Sequence, residues 1–154
     1  MKVTLFAVFI GLLMVGWGEA DLSDPDMIED TAADAVDWSK LQDRDGVTHL
    51  PNSQQPYSGY AMRAYEDEHV EALAQFKDGK QDGFMTAWYE NGQKVREINI
   101  KDGDKFMSAE VWKPNGEKCP VTSLQDGNGD MVFYNIDGTE KKRRETYKDG
   151  DLVK

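Results

Sequence analysis

The chain has 154 residues, a formal net charge of -11 and a single cysteine. That length suits one domain with a modest core plus a leader segment. So acidic a surface repels nucleic acid and anionic lipid and attracts a basic partner, and one cysteine leaves no internal disulfide to staple the fold.

Met1 and Lys2 give a short basic start, and Val3 to Trp17 is an apolar run broken by Thr4, Gly11 and Gly16. Gly18 and Ala20 then place small residues at the -3 and -1 positions of a cut after Ala20. Residues 1–20 therefore read as a secretory signal peptide, too short for a comfortable membrane span. The mature chain is expected to be exported, periplasmic or extracellular, without membrane insertion; an uncleaved N-terminal anchor is the alternative. Residues 21–37 hold seven acidic side chains and no basic one. Like-charge repulsion makes this an acidic flexible linker, with a weak helical turn or two in "MIEDTAADAV" as the alternative. The folded domain is expected over residues 38–154.

That domain repeats. "KDG" occurs at Lys77 and Lys101, "QDG" at Gln125 and "KDG" again at Lys148, in steps of 24, 24 and 23 residues. A second series interleaves with it: "EDE" at Glu66, "ENG" at Glu90, "PNG" at Pro114 and "IDG" at Ile136, in steps of 24, 24 and 22. An aromatic precedes each member of the second series, namely Tyr65, Trp88 with Tyr89, Trp112, and Tyr134. Two series sharing one period define a repeat protein. Each unit reads as a β-hairpin, with Asn91-Gly92, Asn115-Gly116, Asp137-Gly138 and Asp102-Gly103 as its turns, because these dipeptides favour two-residue reversals at positive φ. With Asn91-Gly92 central, Trp88 would face Val95, Thr86 would face Glu97 and Met85 would face Ile98. Helix is excluded by a glycine turn every eleven to thirteen residues. The expected fold is all-β, an antiparallel β-meander of hairpins of about 24 residues stacked edge to edge.

The pattern carried by Gly83, Trp88, Tyr89, Glu90, Asn91, Gly92, Gln93, Lys94, Lys101, Asp102 and Gly103 resembles the bacterial MORN-repeat variant family. The resemblance covers about Leu41 to Leu152, with "QPYSG" at Gln55 as the lead-in. The first unit departs from it with Asp67-Glu68 in place of Asn-Gly, and the third with Met107 at the Gly83 position. "KCPVTSL" interrupts the third return strand, where Pro120 cannot donate to a ladder. The resemblance implies an extended antiparallel sheet more strongly than one chemistry. It implies roles among antitoxins or immunity proteins for some bacterial members, and scaffolding or dimerisation for related repeats.

Several constellations were weighed for chemistry. Asp126, Asn128 and Asp130 have the spacing of a calcium loop, yet Met131 replaces its glycine and Asp137 its closing glutamate, so a plain turn is expected and no metal site. His49 and His69 stand alone and read as surface strand residues; Cys119 reads as a packed or partly exposed thiol. Lys141-Lys142-Arg143-Arg144 reads as a solvated edge strand that resists sheet aggregation. No catalytic residue and no cofactor is assigned. The aromatics Trp88, Tyr89, Trp112, Phe133 and Tyr134 recur with the repeat. They either pack one hairpin on the next or leave a partly exposed row for protein, peptide or glycan. The expected function is a non-catalytic, exported protein-binding module or scaffold with an unidentified protein partner, the acidic surface favouring a basic one. A self-associating structural envelope protein and an enzyme with a scattered site are the alternatives.

Overall fold

The computed structural model describes residues 31–153; the signal-peptide reading and residues 21–30 of the acidic segment lie outside them. Residues 31–34 are helical. Strand begins two residues before the expected domain boundary, with β1 (Val36–Asp37). Asp37 then caps a short 3-10 turn, Trp38–Lys40, by accepting the Ser39 N–H at 2.9 Å. The remaining strands are β2 (Gln42–Arg44), β3 (Val47–His49), β4 (Gly59–Ala64), β5 (Val70–Lys77), β6 (Lys80–Trp88) and β7 (Lys94–Lys101). They continue as β8 (Lys105–Val111), β9 (Gly129–Tyr134), β10 (Glu140–Lys148) and β11 (Asp151–Val153). A six-stranded sheet runs β1-β4-β5-β6-β7-β8, a three-stranded sheet runs β11-β10-β9, and β2 pairs with β3. From β4 to β8 every neighbour is the next strand in sequence and antiparallel, which is the expected meander. The exception is β1, which adds to β4 in parallel through Val36 opposite Ala61.

The two turn series differ in geometry. Asp78-Gly79, Asp126-Gly127 and Asp149-Gly150 carry two successive positive φ values and close two-residue reversals, the geometry whose twist matches paired strands. At Asp102-Gly103 both φ values are again positive, but Lys101 faces Lys105, so Asp104 lengthens this loop by one residue.

The other series corrects the sequence reading. Asn91-Gly92 is not the central pair of a two-residue turn. The Gly92 N–H donates to the Tyr89 carbonyl at 2.9 Å and the Tyr89 N–H to the Gln93 carbonyl at 2.8 Å. The loop is therefore three residues, and only the glycine sits at positive φ (+77°). The same bonds close the Asn115-Gly116 and Asp137-Gly138 loops. The cause is the middle side chain. Asn91 accepts the Gln93 N–H at 3.0 Å, Asn115 that of Glu117 at 3.0 Å, and Asp137 that of Thr139 at 2.9 Å. Such side-chain turns hold the residue in place and push the left-handed step onto the glycine after it. In the first unit Glu68 takes the glycine's place at φ +70°. Thr86 faces Glu97 and Met85 faces Ile98 as read, but the longer loop sets Trp88 opposite Lys94, with a bulge before it, and not opposite Val95.

In the third unit no strand forms over residues 118–124. Pro120 lacks an N–H, and the segment instead stitches β8 to β9. Cys119 donates its N–H to Val111 at 2.7 Å, Leu124 accepts from Ala109 at 3.2 Å, and Ser123 donates to Asp130 at 2.8 Å.

The register aligns Ala61, Ala74, Met85, Ile98 and Ala109 across one face of the large sheet. Small side chains at its first end admit the rings of Tyr57 and Phe76, with Trp38 packing edge-on to Phe76 at 5.6 Å. At the other end Leu124, Met131, Val132 and Tyr147 close over Ile98, Ile100 and Val111. Met85 packs against both clusters and joins them. A buried aromatic the size of Phe76 contributes at most about 4–6 kcal/mol, so the two clusters hold the hairpins where backbone pairing alone would be marginal.

Candidate functional site

Trp88, Tyr89 and Trp112 lie at the end of the large sheet that carries its three-residue loops, whereas Phe133 and Tyr134 belong to β9 of the three-stranded sheet. Trp88, Trp112 and Tyr134 are equivalent, spaced by 24 and 22 residues; Trp88 and Tyr134 close β6 and β9, and Trp112 directly follows β8. In the first two units the residue after this position, Tyr65 and Tyr89, acts as a clamp between hairpins. The Tyr65 hydroxyl donates to the Trp88 carbonyl at 2.7 Å, and the Tyr89 hydroxyl donates to the Trp112 carbonyl at 3.1 Å. Asn91 adds a third tie by donating its side-chain N–H to the Pro114 carbonyl at 2.9 Å.

Cations of the chain cover three of its rings. Lys94 Nζ lies 5.1 Å from the centroid of Trp112 and also pairs with Glu97 at 2.8 Å. Lys113 Nζ lies 5.9 Å from the centroid of Tyr134, and the Arg63 guanidinium lies 5.4 Å from that of Trp38. Trp88 is half-buried and, among the described residues, takes no such cation. It lines a hollow of about 470 Å³ with His69, Val70, Tyr89 and Glu90. Acidic groups surround this place. Burial, and after it the carboxylates of Glu71, Glu90 and Asp67, push the neighbouring Tyr65 hydroxyl above the usual tyrosine range. Glu71 is 3.6 Å from Arg63, and Asp67 is 3.0 Å from His69, both at exposed or half-exposed positions.

The five aromatics expected as one binding row do not form a single surface. Tyr89 is only 8% exposed, because its clamp to Trp112 buries it. Trp112 lies under Lys94. Phe133 packs on the larger core cluster and lines a separate hollow of about 500 Å³ between the two sheets with Met85, Phe106 and Tyr147. Tyr134 donates its hydroxyl to Cys119 Sγ at 3.2 Å. Of the five, Trp88 and Tyr89 line the open hollow beside Val70, and Trp88 is the less buried of the two. Residues not singled out from the sequence complete the arrangement: Tyr65, Lys94 and Val70. Tyr65 and Lys94 were visible as repeat members, but that they bridge neighbouring units emerges only from the stacking.

Other sequence readings fall into place. Asp126-Gly127 forms a plain turn, and Asp130 accepts the Thr146 hydroxyl at 2.6 Å. His49 is buried, contrary to the surface expectation, since β3 tucks beneath the segment at Pro56 and its Nδ1 is 2.9 Å from the Val47 carbonyl. His69 is exposed at a loop end. Cys119 is a packed thiol, 5% exposed. Burial pushes it up, but hydrogen bonds from Thr122 and Tyr134 hold it below the ordinary thiol range. The basic run lies on β10 between β9 and β11, and because β11 pairs only with Thr146, Tyr147 and Lys148, the run itself has, among the described residues, a strand neighbour on the β9 side alone.

The architecture is thus that of an all-β chain of stacked hairpins with a ring hollow at one loop end. Comparison with protein-family models, with curated proteins and with solved structures returned no match. The likeness to MORN-repeat variants rests on the motif residues alone.

Proposed function

We propose that this chain is a non-catalytic protein-binding module or scaffold, built in the manner of MORN-variant repeats and working outside the cytoplasm. The observation that carries this reading is the half-buried Trp88 ring beside an open hollow at the rim of a rigid sheet. Tryptophan beside a hollow of this size is the usual anchor of a recognition surface. The net charge of -11 would speed encounter with a basic partner, and neutralisation of a basic toxin in an immunity role is one form such capture would take. A photo-crosslinking residue at the exposed position His69 tests it in the native cells, with Asp126 as the distant control. A discrete adduct from position 69 that vanishes with Trp88→Ala supports the reading. Identical adducts from both positions, or none, would remove it.

A second reading, self-association, is favoured by β11, where Leu152 is 48% and Val153 50% exposed on an outermost strand. A solution mass that rises with concentration would support it; a monomer at every concentration excludes it.

A further inference from the structure

The repeat shows what the Trp88 hollow lacks. Trp112 follows Lys94 by 18 residues, and Trp88 follows Val70 by the same 18. Lys94 and Val70 each open the strand that returns from a three-residue loop, β7 and β5 respectively. In the later unit the lysine stem reaches across to the next hairpin and brings its ammonium over the indole of Trp112. In the earlier unit the side chain at that place is valine, which carries no cation and lines the hollow together with Trp88. The hollow beside Trp88 therefore lies where the repeat would place a lysine side chain one unit further on.

We propose that this volume receives a lysine or arginine side chain from a basic segment of another polypeptide. This rests on the binding-module reading above and names the chemistry of its partner. The aliphatic stem would lie along Val70 and Trp88, as such stems do on apolar surface. The cationic head would lie against the indole face, with Glu90 on the lining and Glu71 and Asp67 close by. An anionic head would be repelled by these carboxylates and a neutral polar head would gain less from them than a cation does, although Glu71 and Asp67 also face Arg63 and His69. The overall charge of -11 favours the basic segment at a distance as well. The chain itself supplies the precedent for the contact three times, at Trp38, Trp112 and Tyr134.

The test follows the indole N–H resonances of the folded chain during titration with a blocked Gly-Gly-Lys-Gly-Gly peptide and its norleucine twin. Trp112, already covered, is the internal control. The lysine peptide is expected to shift Trp88 with an affinity about three- to fivefold greater than the norleucine peptide, leaving Trp112 in place. Val70→Lys installs the chain's own lysine and should weaken that response by at least about threefold. Val70→Ala, which opens the hollow without covering the ring, should lose some affinity for both peptides with the stem's contact but keep the preference of about three- to fivefold for lysine over norleucine. Equal shifts with both peptides would overturn the cation proposal while leaving an apolar docking hollow, and so the binding-module reading, standing. An undiminished response in Val70→Lys also overturns the proposal, and silence of Trp88 toward both peptides removes the hollow as a recognition site altogether.

Discussion

Gly92 and Gly127 have nearly the same backbone, φ +77° and +76°, but different surroundings. A Cβ on Gly92 would meet nothing within 4 Å, whereas one on Gly127 would lie 2.6 Å from the Gly150 nitrogen and 3.1 Å from the Asp149 carbonyl carbon. Gly92→Ala therefore measures the left-handed conformation alone. Its steric cost of about 1–2 kcal/mol is partly offset by about 0.4–1 kcal/mol from the stiffer unfolded chain, for a net loss of about 1 kcal/mol. Gly127→Ala adds a clash with backbone that cannot rotate away. Overpacking of that kind costs a further 1–3 kcal/mol or so, and it also strains the Gly150 N–H bond to the Gly127 carbonyl, 2.9 Å long. The expected total is about 2–4 kcal/mol. For a domain of this size that is a fall in Tm of about 3–5 °C for Gly92→Ala and at least twice that for Gly127→Ala. Urea unfolding of the two variants beside the parent measures both. Equal losses would show that the Asp-Gly turns of neighbouring hairpins are not stacked, and an unchanged Gly92→Ala would show that the three-residue loop is misassigned.

Tyr89→Phe removes the hydroxyl that ties its hairpin to Trp112 and leaves a carbonyl without its donor, for an expected loss of about 1–2 kcal/mol in denaturant unfolding; no loss would show that water serves that carbonyl equally well. The hydroxyl and then the N–H of Thr139 hold the Asp137 carboxyl below the usual aspartate range. Because its folded pKa lies under the unfolded value, the stabilisation is present above about pH 4 and is lost as pH falls through the folded value. A Tm series into acid should therefore fall less steeply for Asp137→Asn than for the parent, and parallel curves would contradict the assignment.

Much of the fold was legible because the strongest local signals and the packing agree. The Asp-Gly pairs at Asp78, Asp126 and Asp149 form the two-residue turns their chemistry favours, and Pro120 breaks the return segment where its missing N–H requires it. The Asn-Gly pairs, and Asp137-Gly138 with them, misled for a specific reason. An asparagine side chain that accepts the N–H two residues on stabilises a three-residue loop, and this competes with the two-residue turn the dipeptide otherwise favours. The single extra loop residue moved Trp88 from Val95 to Lys94. The site was half visible: Trp88 and Tyr89 stood out as repeating aromatics, but period alone does not say that one becomes a buried clamp and the other lines a hollow. That depends on which side chain the preceding hairpin sends across, lysine at position 94 or valine at position 70. The burial of His49 had no sequence signal, since it follows from a bridge to Pro56 in an irregular segment.

The double variant Val70→Lys, Lys94→Val tests most directly whether the side chain at this repeat position decides which indole is open. Covering Trp88 and uncovering Trp112 should move the response to the lysine peptide from the first indole to the second, with little change in the rest of the spectrum. A response that stays on Trp88, or that never appears on Trp112, would contradict the claim that a cation from outside fills the place left by the missing lysine.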